Sequence, residues 1–161
     1  MISRRRLVLG GAAALAAVWR IPSLLAQASE KFELTHTDAE WRSLLTAEQY
    51  AVLRKEATER PFTSPLNKEK RKGVFACAGC GLDNFSSSTK FESGTGWPSF
   101  WKPLDKAVGE TSDRSLGMVR TAVHCRRCGG HLGHVFDDGP PPTGLRYCIN
   151  GVALNFEPEA K

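Results

Sequence analysis

The residues with the clearest chemical potential in this 161-residue chain are its five cysteines. Four of them form two Cys-x-x-Cys pairs separated by 44 residues: Cys77, Cys80, Cys125 and Cys128. A glycine follows each pair and permits a tight turn. Two such pairs can place four thiolates tetrahedrally around one zinc ion, whose filled d shell imposes no other geometry. We predict one structural zinc ion per chain, without an open coordination position.

Two disulfides are the alternative for these four cysteines. Disulfides persist in the oxidising compartments that an exported chain would enter. Bridged Cys-x-x-Cys pairs are usually strained and redox-active, however, so the repeated pair favours a metal site.

The fifth cysteine, Cys148, is left over once the other four are assigned to zinc, and an odd cysteine in an exported protein can be a reactive thiol. Arg146 shares its side of the chain if residues 145–150 form a strand, and its charge would favour the nucleophilic thiolate. His131 and His134 precede Cys148 by seventeen and fourteen positions. A nearby histidine can activate a thiol or donate a proton, and the residues alone do not indicate which of the two does so.

The segment between the cysteine pairs contains a glycine-rich bend at residues 89–101 with four aromatic residues: Phe91, Trp97, Phe100 and Trp101. Clustered aromatics on a flexible bend are typical of a binding wall. For Phe91 and Phe100 we expect a place in the core instead.

Two short helices are predicted ahead of these motifs. Each begins with a capping box, Thr37-Asp-Ala-Glu40 and Thr46-Ala-Glu-Gln49. Apolar side chains follow at one-face spacing: Trp41, Leu44 and Leu45 in the first helix, and Tyr50, Leu53 and Ala57 in the second. Pro61 is predicted to end the second helix, with a loop to Gly73. Residues 118–123 and 145–150 have strand composition.

Residues 1–28 have the organisation of an export signal. Three arginines precede an uncharged run of 13 residues, which is short of the ~20 needed to span a bilayer, and Ala26-Gln27-Ala28 fits a cleavage site. The start, Ser3 to Leu7, resembles a twin-arginine signal. We predict a signal peptide at 1–28, a single mature domain at 29–161, a bacterial periplasmic location and no stable membrane insertion after cleavage. An uncleaved anchor is the alternative.

The net charge of +5 does not indicate nucleic-acid binding. Residues 1–28 carry four arginines and no acid, so the rest of the chain carries +5 − 4 = +1. A near-neutral body provides no electrostatic surface for phosphates, and we predict no nucleic-acid partner.

Several motifs together resemble the B-type methionine sulfoxide reductases. They are TERPF (58–62), SGTGWPSF (93–100), HLGHVF (131–136), DGP (138–140), RYCIN (146–150) and the paired Cys-x-x-Cys motifs. The resemblance covers roughly residues 37 to 156. It implies a mainly β fold in which a four-cysteine zinc site braces two antiparallel β-sheets, with short N-terminal helices. It also implies reduction of the R epimer of methionine sulfoxide in proteins.

The same resemblance implies a role for each site residue. Cys148 is the nucleophile and becomes a sulfenic acid. Trp97 packs against the S-methyl group of the substrate. The pocket is lined by His131, His134 and Asn150, and the charge around the thiol is set by Arg146 and Asp138.

Position 95 departs from the pattern of many relatives. Those proteins have a second cysteine there, which resolves the sulfenic acid as an internal disulfide, whereas this chain has Thr95. We therefore expect an external thiol reductant, such as a thioredoxin-like protein, to recycle a monomeric enzyme that acts on oxidised proteins.

Two other functions are compatible with the residues. A zinc-braced binding module could use the aromatic wall to recognise a peptide or lipid, with Cys148 inert. Another thiol enzyme on the same scaffold could act on a glutathione adduct.

Overall fold

A computed structural model of the chain describes residues 31–160, and the export signal predicted at 1–28 lies outside this range. Two helices come first, α1 (Asp38–Leu44) and α2 (Ala47–Lys55). The strands that follow are β1 (Gly73–Cys77), β2 (Asp83–Ser86), β3 (Lys90–Phe91), β4 (Ser99–Phe100), β5 (Val108–Asp113), β6 (Arg120–Cys125), β7 (His131–Phe136), β8 (Arg146–Ile149) and β9 (Leu154–Pro158). Short 3₁₀ helices lie at Pro65–Lys68, Ser87–Thr89, Ser115–Gly117 and Gly151–Ala153.

The strands form two antiparallel sheets. The small sheet has the order β2-β1-β9, and the large sheet has the order β3-β4-β8-β7-β6-β5. The predicted fold class, mainly β with two antiparallel sheets and short N-terminal helices, is confirmed. Within residues 31–160, no helix has the length and apolar character needed to cross a bilayer.

The two sheets meet on phenylalanine side chains. Phe75 of β1 and Phe85 of β2 are register partners in the small sheet, and both are fully buried. Phe100 of β4 in the large sheet stacks on Phe85 with ring centroids 4.4 Å apart and meets Phe75 edge-on at 5.0 Å. Each such burial contributes roughly 1.5–3 kcal/mol. These contacts hold β4, and with it the glycine-rich segment that precedes it, against the core.

Both helices begin at the predicted capping boxes. The Thr37 hydroxyl accepts from the amide of Glu40, whose carboxylate accepts from the amide of Thr37 at 2.7 Å. Thr46 and Gln49 repeat this exchange at the start of α2. The side chains that these helices bury are those of Trp41, Leu45, Tyr50, Val52 and Leu53.

Two predictions for the helices are wrong. Leu44 is 61 % exposed rather than buried, because Leu45 at the end of α1 takes the inward position. Helix α2 ends at Lys55 and not near Pro61, since Glu56 adopts a left-handed conformation (φ 57°) that closes the last turn. Ala57 therefore lies beyond the helix.

Strand and loop boundaries also differ from the predictions. Strand β6 begins at Arg120, so Met118 and Val119 lie outside it and are exposed. The segment predicted as a loop from Pro61 to Gly73 contains a 3₁₀ helix, capped by the side chain of Ser64. Phe100 is in the core as expected, whereas Phe91 is only partly buried.

Candidate active site

The two Cys-x-x-Cys pairs lie at the ends of strands from different sheets. Cys77 ends β1 and Cys125 ends β6, while Cys80 and Cys128 lie in the turns that follow. The four sulfur atoms all lie within 4.8 Å of one another. Because β1 belongs to the small sheet and β6 to the large one, an ion held here would join the two sheets.

The sulfur spacing fits a tetrahedral zinc site. The Cys77 and Cys128 sulfurs are 3.8 Å apart, and those of Cys80 and Cys125 are 3.5 Å apart. Four sulfurs bound to one zinc ion at its usual bond length lie about 3.8 Å apart. None of the five cysteines forms a disulfide, and these separations far exceed a disulfide bond. The geometry favours the metal over the alternative of two disulfides.

The glycine after each pair has the conformation that the tight turn requires. Gly81 and Gly129 both have a φ of 68°, in the left-handed region where residues with a Cβ are strained. Their amides donate to the carbonyl oxygens of Cys77 and Cys125 at 2.8 Å.

Helix α2 covers the turn that contains the second cysteine pair. Leu53 packs closely on Gly130: a Cβ added to Gly130 would lie 2.9 Å from the Cδ2 atom of Leu53. Arg54 donates through Nη1 to the carbonyl oxygen of Cys128 at 3.0 Å. The capped helices at the start of the domain thus help to position the four-cysteine cluster.

The lone thiol, Cys148, lies on β8 inside the large sheet and is not part of that cluster. Its register partner on β7 is His134, and its partner on β4 is Ser99. Directly paired residues in an antiparallel sheet project from the same face. The structure therefore places His134 beside the thiol.

The two histidines lie close together in different environments. The rings of His131 and His134 are 5.3 Å apart and nearly perpendicular. Burial, with a smaller contribution from the charge of His134, lowers the pKa of His131 to about 4, so this ring is neutral at pH 7. His134 instead contacts the carboxylate of Asp113 through Nε2 at 2.8 Å.

Arg146 and Asp138 form a two-pronged ion pair, with both N···O distances 2.8 Å. The guanidinium also lies over the ring of Phe136, 4.5 Å from its centroid. Arg146 shares a side of β8 with Cys148 and favours the thiolate, as expected. Burial has the larger effect, however, and raises the pKa of the Cys148 thiol above its ordinary value despite the opposing influence of Thr95 and Arg146. The expected influence of Arg146 on the thiol is therefore present, but burial outweighs it.

A chain of hydroxyl groups leads to the thiol. Thr95 Oγ1 lies 3.8 Å from Cys148 Sγ and 2.8 Å from the hydroxyl of Ser93. Ser93 in turn lies 2.7 Å from the hydroxyl of Ser99, which is fully buried. Thr95, at the position where the family resemblance implies a second cysteine in many relatives, thus contacts the sulfur of Cys148.

Glu59 was not predicted as a site residue, yet it connects two residues that were. The Trp97 indole donates to the Glu59 carbonyl oxygen at 2.9 Å, and the Asn150 side-chain oxygen accepts from the Glu59 amide at 2.8 Å. The Glu59 carboxylate accepts from the amides of Gly151 and Val152. Its only sequence signal was its place in TERPF, to which no role was attached.

Asn150 is buried and hydrogen-bonded to the main chain, whereas a residue that lines an open pocket is expected to be more exposed. It is 4 % exposed, and the nitrogen of its amide donates to the carbonyl oxygen of Leu132 at 2.9 Å. Both ends of the amide therefore contact main-chain atoms.

Known proteins similar to this chain match it across the whole of the site. The SelR domain family matches residues 45–158, a range that contains every residue of the site. The peptide methionine sulfoxide reductase MsrB of Pseudomonas putida strain W619 is 58 % identical over 127 residues, which cover 78 % of this chain and 96 % of that protein. The chain belongs to the MsrB family.

Two further MsrB proteins support the same assignment. That of Agrobacterium fabrum strain C58 is 55 % identical over 127 residues, or 78 % of this chain and 94 % of the relative. That of Leptospira interrogans serovar Lai is 54 % identical over 129 residues, or 80 % and 98 %. As an MsrB-family protein the chain is an oxidoreductase that acts on methionine sulfoxide, which decides against the inert binding module.

Proposed function

We propose that this chain reduces the R epimer of methionine sulfoxide in oxidised proteins, with Cys148 as the nucleophile. The observation that carries the proposal is the half-buried thiol of Cys148, separate from the four-cysteine cluster and paired across the sheet with His134. Family membership supplies the reaction, and this pairing supplies a nucleophile beside a proton donor.

The reaction transfers one oxygen atom. The Cys148 sulfur attacks the sulfoxide sulfur as a thiolate, and the sulfoxide oxygen takes up a proton. The bond formed between the two sulfurs and the S–O bond of the sulfoxide both break as the oxygen moves to the Cys148 sulfur, so methionine leaves as the thioether and Cys148 becomes a sulfenic acid. The cysteine sulfur loses two electrons, which the sulfoxide sulfur gains. Two external thiols then restore Cys148, forming a disulfide and water.

The surrounding side chains each have a task in this scheme. His134 is the better-placed proton donor because it pairs with Cys148, whereas burial keeps His131 neutral. Arg146 and the Thr95 hydroxyl stabilise the thiolate once it forms. Trp97, anchored on Glu59, provides an indole wall for the S-methyl group.

We assign the four-cysteine cluster to a structural zinc ion held by Cys77, Cys80, Cys125 and Cys128. The sulfur spacing supports this assignment, as does the place of the cluster between strands of the two sheets. Four thiolates would fill the coordination shell, so the ion would brace the fold without taking part in the reaction.

Sequence features support our proposals for the class of reductant and for the location. Thr95 at the contact with Cys148 leaves no internal thiol for a disulfide there, which supports recycling of the enzyme by an external thiol. Residues 1–28 lie outside the family match and support export to the periplasm with cleavage after Ala28. Mass spectrometry of the exported protein tests this: an N-terminus at Ser29 is expected, and one at Met1 contradicts cleavage.

The two epimers of a blocked methionine sulfoxide test the proposed reaction. With dithiothreitol as the reductant, the R epimer should be converted to the thioether and the S epimer should remain. Turnover of the S epimer, or of neither, contradicts the proposal.

A further inference from the structure

We propose that Asp113 is a positioning residue for this reaction: its carboxylate holds Nε2 of His134, so that the Nδ1 edge of the ring is presented to the substrate. This inference rests on the proposed function, because it concerns the proton donor beside Cys148.

The contact between the two side chains spans three strands. Asp113 ends β5, His134 lies on β7, and β6 runs between them. Ala122 of β6 is the register partner of His134 on one side and of Thr111 on the other. Asp113 lies two residues after Thr111 and therefore projects from the same face of the sheet. Since Ala122 carries only a methyl group, the carboxylate and the ring can meet above it, with Oδ2 and Nε2 2.8 Å apart.

Asp113 is itself held in place by the β5–β6 connection. The Ser115 amide donates to Oδ1 at 2.8 Å, and Arg120 donates to Oδ2 at 2.6 Å. These contacts, led by the Ser115 amide and including His134, hold the pKa of Asp113 well below its usual range. An ionised carboxylate can only accept a hydrogen bond, so Nε2 of His134 must carry the hydrogen.

A carboxylate on one nitrogen fixes the ring orientation and stabilises the imidazolium form, as in the serine-protease triad. Both side chains are mostly shielded, at 15 % and 17 % exposure, so solvent screens the pair only weakly. The charged and titratable groups around His134 come from each packed strand: Asp113 of β5, Arg120 of β6, His131 of β7, and Cys148 and Arg146 of β8.

Steady-state kinetics with methionine-R-sulfoxide test the role of the carboxylate. Asp113→Asn keeps the shape of the side chain and removes its charge. We expect kcat to fall by about tenfold or more, as part of the roughly 10²–10⁴-fold that a general acid contributes, with KM little changed. Because a general acid works only while it is protonated, the fall of kcat on the alkaline side of the pH profile should begin at a lower pH in Asp113→Asn.

Arg120→Met is the matched control, because it breaks the other ion pair of Asp113 and leaves the contact with His134. If Asp113 only stabilises the β5–β6 hairpin, the two variants should show equal decreases in kcat and equal decreases in melting temperature. That result overturns the inference. A wild-type kcat and pH profile in Asp113→Asn overturns it as well. The expected result is a large loss of kcat in Asp113→Asn only.

Nuclear magnetic resonance of ¹⁵N-histidine-labelled protein tests the hydrogen bond without turnover. The wild type should show a slowly exchanging Nε2–H signal, assigned by its absence in His134→Asn. A signal from Nδ1–H with an unprotonated Nε2 contradicts the inference even if no Asp113 variant folds. Absence of reductase activity in the wild type would instead refute the proposed function. The Nε2–H signal would then still show whether Asp113 and His134 are hydrogen-bonded.

Discussion

Arg146 lies two residues before Cys148 on the same side of β8, with its guanidinium clamped by Asp138 and stacked on Phe136. The positive charge of Arg146 lowers the pKa of the Cys148 thiol, whereas burial of the sulfur raises it. The reactivity of the thiol therefore depends on a balance between desolvation and one nearby cation.

Removing that cation should shift the pH dependence of the thiol upward. Below its pKa the thiol is protonated and unreactive, and burial already raises this pKa above its ordinary value of 9.0. In Arg146→Met, the rate of Cys148 alkylation by iodoacetamide should begin to rise at a higher pH than in the wild type. Asp138→Asn is the control, because it removes a negative charge that opposes the thiolate, so its profile should move toward lower pH. An unchanged profile in Arg146→Met would show that the guanidinium does not influence the sulfur.

Thr95→Cys should change how the oxidised enzyme resolves. Thr95 Oγ1 is 3.8 Å from Cys148 Sγ, so a thiol at this position can condense with the sulfenic acid to form a disulfide and water. After one equivalent of sulfoxide without reductant, the variant should contain an internal disulfide and fail to react with a sulfenic-acid probe. The wild type and Thr95→Ser should both react with the probe. An internal disulfide to Cys148 in the wild type would refute external recycling.

Glu59→Ala should weaken both the fold and the site. It removes the acceptor for the amides of Gly151 and Val152, and leaving such donors unpaired costs about 1–3 kcal/mol. The variant keeps the main-chain contacts of residue 59 to Trp97 and Asn150 but loses the carboxylate that holds this main chain against Gly151 and Val152. We therefore expect kcat/KM to fall along with the free energy of unfolding measured in urea. Glu157→Gln, an exposed change on β9, is the control and should alter neither quantity.

Loss of one cysteine from the four-cysteine cluster should release the metal and destabilise the sheets. Structural zinc contributes directly to folding. Cys128→Ser should therefore contain less than half an equivalent of zinc by elemental analysis and unfold at a lower temperature. Cys148→Ser should retain one equivalent and the wild-type melting temperature. Full zinc content in Cys128→Ser would contradict the four-thiolate site.

The parts of the fold that depend on short spacing could be predicted from the sequence. The capping boxes, the two Cys-x-x-Cys turns and the Arg146–Cys148 pair involve residues at most a few positions apart, where local geometry decides the outcome. The end of α2 shows the limit of such rules. The sequence predicts that Pro61 ends this helix, but the left-handed Glu56 ends it earlier, and the residue type at that position does not require this conformation.

The remainder of the site depends on which strands become neighbours. Asp113 and His134 are 21 residues apart and meet only because β5, β6 and β7 lie side by side. Glu59 reaches Asn150 across 91 residues of sequence. The burial that raises the pKa of Cys148 is likewise a property of the packed sheet. The sequence therefore indicates the influence of Arg146 on this pKa but not the larger, opposing influence of burial.

A single turnover without reductant tests most directly whether Cys148 is the atom that takes the oxygen. The enzyme is mixed with a small excess of methionine-R-sulfoxide and a sulfenic-acid probe, and the thioether and the labelled peptide are measured together. We predict one equivalent of thioether per chain, with the label on Cys148, and neither product in Cys148→Ser. One equivalent of thioether from Cys148→Ser, or a label on one of the other four cysteines, would contradict the account.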